Sequence, residues 1–314
     1  MELNKEIPEP IKKQIIKNCS ICGKEINFIK AAETEPVIMN LKKKSLISPL
    51  SWMGGKDKQW SLIKEELPEK IECWIEPFLG GGSVALHAID EDSAWSYILN
   101  DLNEDLIGFF SAIKKNGPRH YQTHPSLKKI PRTLKEAEIL YDNSPEEIRF
   151  WIDNILKFNG MPRARWYQSR LEGNYRQSRI ERLINASWLL NKKEVALVNS
   201  DYVEFVKFYL DIIDLYHLDS SKSPIFFFLD PPYFYSQKNN IYNNHSKIDF
   251  TQLKKVIDDI DKSGCKFLLT IDASVEMEEL FKDYKIIKKN WKYTSTNRRR
   301  DACKTGVELF VKNY

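Results

Sequence analysis

Four consecutive residues, Asp230, Pro231, Pro232 and Tyr233, close the apolar run Ile225–Leu229. In that order they offer a carboxylate acceptor, a rigid pair of backbone carbonyls with no N–H of their own, and an aromatic face. A buried strand ending this way presents one charge and a fixed backbone at a sheet edge. Such an edge is equipped to grip a flat, polar, nitrogen-bearing ring.

Three further groups repeat the pattern of an apolar run ending in chemistry. After ECWIEP (72–77), which holds Glu76, come Phe78 and Gly80-Gly81-Gly82-Ser83. Glycine lets the backbone turn sharply and approach a ligand with no Cβ in the way, and Ser83 is placed to cap the helix that follows. Asp101 ends SYILND, where a carboxylate can accept hydrogen bonds from vicinal ribose hydroxyls. Asp201 and Tyr202 follow EVALVN and offer an acceptor for an exocyclic amine and a flanking ring face. Singly, each has a plainer reading as a turn or a helix cap. Four in succession at one sheet edge point to a ligand crevice.

The elements that must position these residues are short runs rich in Ile, Val, Phe and Leu. They fall at 72–77, 96–101, 194–199, 225–230, 266–272, 284–291 and 307–313, separated by helical stretches. That alternation predicts an open, doubly wound α/β sheet whose ligands bind beyond the carboxyl ends of the strands. Between Asp101 and Glu194 no such run occurs. Helical patterns and a basic, proline-broken stretch fill the interval, so a second, mainly helical unit is inserted after the second strand. Residues 1–44 form a separate piece with poor periodicity.

Composition narrows the classes. Of 314 residues, 42% are hydrophobic and 29% charged, the balance of a soluble globular chain. No apolar run approaches the roughly 20 residues of a membrane span, and the N-terminus lacks a signal-peptide core, so the expected location is the cytoplasm. The net charge is only +4, but residues 157–182 carry one Lys and six Arg against two Glu, 7 − 2 = +5. Arg163, Arg165, Arg170, Arg176 and Arg179 alternate there with Trp166, Tyr167 and Tyr175, and Arg298 and Arg299 lie in a second cluster. Arginine interleaved with aromatics fits a phosphate-facing surface. Cys19 and Cys22 form half of a zinc site without a matching second pair, so no metal is expected.

Taken in order, SPLSWMGGK (48–56), EPFLGGGSV (76–84), ILNDLNEDLI (98–107), FNG (158–160), VNSDYVEF (198–205), DPPY (230–233) and the tail TSTNRRRDACKTGVELFV resemble the Dam-type (D12 class) DNA adenine-N6 methyltransferases. The glycine loop precedes the DPPY motif, the order of the family's α group. The resemblance runs from about residue 45 to 314. It implies a seven-stranded, mostly parallel, Rossmann-like methyltransferase sheet with an inserted helical target-recognition domain. The implied division is an extension (1–44), a cofactor-binding first part (45–104), the recognition domain (105–193) and a second catalytic part (194–314).

The resemblance also implies roles. Trp52 and Lys56 match a pair that contacts the cofactor, S-adenosylmethionine, near its methionine end. Glu76, Phe78, Gly80 and Gly82 match the loop around the methionine moiety, Asp101 the ribose acid, and Asp201 with Tyr202 the cofactor's adenine position. Asp230, Pro231, Pro232 and Tyr233 match the catalytic motif, with Asp230 also close to the cofactor. The expected partner is double-stranded DNA, with a cognate restriction endonuclease where the enzyme serves a restriction-modification system. A monomer is expected.

Departures and rivals bound that reading. The Asn-Val-Pro-Phe-Gly-like stretch of GATC-reading members stands here as GNYRQSR, which leaves the recognised sequence open. An N4-cytosine methyltransferase uses the same amino chemistry, but Asp rather than Ser at position 230 favours adenine. An RNA amino-methyltransferase is a further rival. A catalytically silent DNA-binding relative is disfavoured by the intact DPPY and WMGGK. A dinucleotide oxidoreductase is disfavoured because the loop spacing is Phe-x-Gly-x-Gly, without the third glycine of GxGxxG.

Overall fold

The computed structural model describes residues 47–157, 164–215, 224–233, 248–292 and 305–314. Seven strands form one sheet: β1 (Cys73–Glu76), β2 (Ser96–Asp101), β3 (Glu194–Asn199), β4 (Ile225–Leu229), β5 (Lys266–Asp272), β6 (Lys285–Lys292) and β7 (Thr305–Lys312). Their spatial order is β3-β2-β1-β4-β5-β7-β6, and only β7 runs antiparallel to its neighbours. The sheet is therefore mostly parallel and doubly wound, with each strand within about two residues of its expected run.

The strands read as nearly unbroken apolar runs because both faces are covered. All five residues of β4 are buried. Period-2 alternation sends Trp74, Phe226, Phe228, Leu268 and Phe310 to one face, and Ile75, Phe227, Leu229, Phe267 and Leu309 to the other. On the second face pack α9 (Tyr202–Leu215) and α10 (Phe250–Lys262), whose apolar stripes include Phe205, Tyr209, Ile213, Leu253 and Ile257.

The first face is covered by α1 (Trp60–Glu65), α2 (Ser83–Asp90) and helices from the interval between β2 and β3. That interval holds α3 (Glu104–Thr123), α4 (Pro125–Lys128), α5 (Leu134–Asp142), α6 (Glu146–Leu156), α7 (Gln168–Asn174) and α8 (Gln177–Lys192). Asn103 caps α3 by accepting from the Leu106 N–H, and α3 bends at Gly117 (φ 73°), one residue before Pro118. Ser187 of α8 donates to the Ile113 carbonyl of α3 at 2.5 Å, and Lys114 donates to the Val195 carbonyl of β3 at 2.5 Å. These bonds lash α3 and α8 to each other and to the sheet. Their apolar residues join the same core as the strands.

Chain order creates the crevice. The strands step outward from β1 to β3, then the chain returns to place β4 against the free side of β1. Segments leaving the carboxyl ends of β1 and β4 therefore diverge, opening a gap at this switch point. There the chain puts the glycine loop and Asp230-Pro-Pro-Tyr.

Candidate active site

The glycine loop is held from three sides. Gly80 and Gly82 have φ of +50° and +70°, conformations that L side chains rarely adopt. A Cβ on Gly80 would meet the Trp52 indole nitrogen at 2.8 Å, and one on Gly82 would meet Phe110 at 2.8 Å. The Gly80 N–H donates to Asp101 Oδ2 at 2.8 Å, while Asp101 Oδ1 accepts from the Asn103 N–H at 2.9 Å. Ser48 donates to the Gly81 carbonyl at 2.6 Å. Gly82 itself occupies the helix-cap position, and the Ser83 hydroxyl, expected to cap α2, instead accepts from the Lys56 N–H at 3.0 Å. That bond ties the WMGGK segment to the loop.

WMGGK is anchored in turn by the helical interval. Asn154 of α6 accepts from the Ser51 N–H at 2.7 Å, and Trp151 Nε1 donates to the Pro49 carbonyl at 3.2 Å. Arg179 of α8 donates to the same carbonyl at 3.4 Å. Burial lowers the Arg179 guanidinium to about 10. Arg179 is thus a brace for the segment carrying Trp52.

At the centre lies a chain of polar contacts. Lys56 Nζ donates to Asp230 Oδ1 and Oδ2 at 2.7 and 3.0 Å, and to Tyr233 Oη at 2.6 Å. The Tyr233 hydroxyl donates to Glu308 Oε1 at 2.5 Å, which also accepts from Gln59 Nε2 at 3.1 Å. Thr270 of β5 donates to Asp230 Oδ1 at 2.9 Å. Burial lifts the Asp230 carboxyl above the ordinary aspartate range, although the Lys56 ammonium and the Thr270 hydroxyl pull it down. Glu76 is 2% exposed and touched by Trp74 Nε1 at 3.0 Å. Burial, reinforced by the charges of Asp230 and Asp101, lifts its carboxyl well above the usual range. Asp101 is lifted by burial as well, against the pull of its backbone donors.

Beside the loop, the rings of Phe78 and Tyr202 pack with centroids 5.0 Å apart. Asp201 Oδ1 accepts from the Val203 N–H at 2.8 Å, fixing the start of α9. Of the residues named from sequence, Glu76 and Asp101 end β1 and β2, Phe78, Gly80, Gly82, Asp201 and Asp230 to Tyr233 follow strand ends, and Tyr202 opens α9. Trp52 and Lys56, which precede β1, are brought to Gly80 and Asp230. Sequence reasoning missed Thr270, Glu308 and Gln59. Thr270 and Glu308 interrupt the apolar strands β5 and β7, and a polar residue inside a buried run is the signal that could have found them. Gln59 carries no comparable signal.

The basic stretch divides differently from its sequence. Arg165 and Arg176 are exposed, Arg170 and Arg179 are not, and Tyr167 stands 49% exposed. Tyr175 instead packs edge-on against Trp151 and is 1% exposed, and Trp166 donates to Asp153 at 2.8 Å. Both stand just outside the helix Gln168–Asn174, Trp166 before it and Tyr175 at its C-cap, and their contacts with Asp153 and Trp151 use them for packing rather than for stacking on a ligand. A cavity of about 360 Å³ lies between Arg132 and α7, lined by Leu171, Glu172, Tyr175 and Arg176 and by none of the motif residues. Arg163, Arg298, Arg299, Cys19, Cys22, the FNG stretch and the whole extension 1–44 lie outside the described residues.

A doubly wound sheet with one reversed strand next to its edge, loaded at the switch point with a glycine cradle and an acid-proline-aromatic clamp, is the Rossmann-like sheet of methyltransferases. The profile of the D12 class N6 adenine-specific DNA methyltransferases matches residues 52–295. The chain belongs to that family and is an enzyme that methylates adenine N6 in DNA. The type II methyltransferase M.MjaIII of Methanocaldococcus jannaschii is 27% identical over 300 residues, spanning 84% of this chain and 98% of its own. The DNA adenine methylase of Haemophilus influenzae is 42% identical over 82 residues, 26% of this chain and 27% of its own. That of Escherichia coli is 39% identical over 92 residues, 29% and 31% respectively. Among the described residues, no helix is long and apolar enough to cross a membrane.

Proposed function

We propose that the chain takes its methyl group from S-adenosylmethionine and delivers it to an adenine flipped out of double-stranded DNA. The observation that supports this best is the meeting, at one switch point, of a side-chain-free cradle and a clamp with two acceptors and a ring. The cradle suits a nucleoside donor: Gly80 and Gly82 leave no room for a Cβ, and Asp101 lies hydrogen-bonded to the loop. Trp52, Lys56, Glu76, Phe78, Gly80, Gly82, Asp101, Asp201 and Tyr202 would hold the donor. When bound, it supplies an electrophilic methyl on a positively charged sulfur.

The adenine amino group is a poor nucleophile because its lone pair is delocalised into the ring. Hydrogen bonds from N6–H to the Asp230 carboxylate and the Pro231 carbonyl favour a pyramidal nitrogen and free the pair for attack. Proline suits the second position because it fixes φ. Tyr233 supplies the face on which the extruded base stacks, the base having left the duplex so that its amino group can be reached. Positioning carries much of the rate. Thr270 and Lys56 hold the Asp230 carboxylate in place, and the proton leaves N6 after transfer.

DNA reading falls to residues 105–193. Since α3 and α8 are bound to the sheet, the segment between them and its exposed Arg165 and Arg176 face the duplex, with Arg163, Arg298 and Arg299 as further contacts. The enzyme works as a cytoplasmic monomer and, where it serves a restriction-modification system, protects sites from the cognate endonuclease. Calorimetric titration with S-adenosylmethionine tests the donor assignment. Binding that is lost in Asp101→Ala, with a cooperative unfolding transition retained at lower stability, is expected; binding indifferent to Asp101 would overturn the cradle.

A further inference from the structure

We propose that Glu308 is the residue by which this site tells a cationic methyl donor from its neutral sulfide product. The proposal rests on S-adenosylmethionine being the donor. Transfer of the methyl removes the positive charge from sulfur, so a fixed negative charge nearby favours the donor over the product.

Glu308 lies in β7 and is 2% exposed. Among the described residues its hydrogen-bond partners are the Tyr233 hydroxyl at 2.5 Å and the Gln59 amide at 3.1 Å, both uncharged donors to Oε1. Among the described residues no basic side chain forms an ion pair with it. The Lys56 ammonium in the same network reaches both oxygens of Asp230 instead, and touches Glu308 only through Tyr233. One lysine against two carboxylates leaves this trio at 1 − 2 = −1. A carboxylate buried among neutral donors is expensive to desolvate, and that cost falls when a cation enters beside it.

Two further observations point the same way. Gln59 is 3% exposed and, among the described residues, its Oε1 has no hydrogen-bond partner, a second acceptor at the same spot lacking a donor. Glu308 also stands across the β5–β7 ladder from Asp272, a like charge, while the ammonium of Lys289, its neighbour across the β6–β7 ladder, is ion-paired to Glu66 and Glu65 instead. Glutamine at 308 would keep the acceptor oxygen for both Tyr233 and Gln59. The hydrogen bonds therefore do not require the charge; the ligand does.

The test is calorimetric titration of the full chain with S-adenosylmethionine and with S-adenosylhomocysteine, for wild type, Glu308→Gln and Glu308→Asp. A unit charge acting at close range through the protein interior is worth about tenfold in affinity. Glu308→Gln is expected to weaken sulfonium binding about tenfold and to leave sulfide binding within about twofold, while Glu308→Asp keeps the wild-type ratio. Equal weakening of both ligands, or an unchanged ratio in Glu308→Gln, would overturn the proposal. So would failure of Glu308→Gln to fold, because the charge would then serve the structure. Wild type binding neither nucleoside would instead overturn the donor assignment itself.

Discussion

Replacing Lys56 by Met removes the ammonium that bridges Asp230 and Tyr233 while nearly keeping side-chain volume. The Lys56 side chain is 2% exposed and that of Asp230 19%, so the pair is largely buried. Removing one partner of a buried pair costs about 3–5 kcal/mol, and the residual exposure of Asp230 sets the lower end, about 3 kcal/mol. An unfolding entropy of about 2.1 cal/mol/K per residue over 314 residues converts this to a fall in Tm of about 5 °C. The loss should depend on pH. Burial already holds the Asp230 carboxyl above its ordinary range, and Lys56 is the main influence pulling it down. Without Lys56 it titrates higher still. A carboxyl whose folded pKa exceeds its unfolded one binds a proton more readily when folded, so stability falls as pH rises through the raised value. The deficit of Lys56→Met should be largest on the alkaline side of that titration and shrink on acidification. If Asp230 accepts from the adenine amino group as proposed, it must be ionised, and the acid limb of kcat/KM should move to higher pH. Denaturation and methyl-transfer profiles across that titration check both. A deficit that is constant or grows on acidification, or an acid limb that moves down, would refute the reasoning.

Thr270→Val keeps the shape of a fully buried residue and deletes the 2.9 Å hydrogen bond to Asp230. A bond to a charged group is worth about 1.5–3 kcal/mol, so kcat should fall about 10- to 100-fold with KM for DNA unchanged in steady-state assays. Gly82→Ala forces a side chain into a left-handed position against Phe110 and should cost about 1–3 kcal/mol in denaturant titration while weakening donor binding. Gly108, in the middle of α3 with open space at its Cβ, is the control: Gly108→Ala should stabilise the chain by about 0.4–1 kcal/mol. Alanine at exposed Arg165 and Arg176 should leave kcat alone and flatten the salt dependence of DNA binding by about 0.9 per lost phosphate contact, read from Kd across a salt series.

The strands were legible because the sheet is covered on both faces: runs such as IFFFL have no polar alternative and end where the loops begin. Local order also exposed the motif residues, since Glu76, Asp101 and Asp230 each stand at or just past the end of a strand. What local order does not contain is what approaches from elsewhere in the chain. Lys56 and Glu308 lie 174 and 75 residues from their partners Asp230 and Tyr233. Only the sheet order brings them together. The aromatics of the basic segment were misread for a related reason. Tyr175 and Trp166 sit next to arginines in sequence, but both flank the helix Gln168–Asn174, and their partners Trp151 and Asp153, supplied by another helix, decided which way they turn.

The most direct test of the account supplies S-adenosylmethionine labelled in its methyl group to unmethylated duplex DNA and identifies the modified nucleoside after digestion, with Asp230→Ala alongside. The account predicts N6-methyladenine from the wild type and none from the variant, which should still be folded. N4-methylcytosine, or label transferred undiminished by Asp230→Ala, would contradict it.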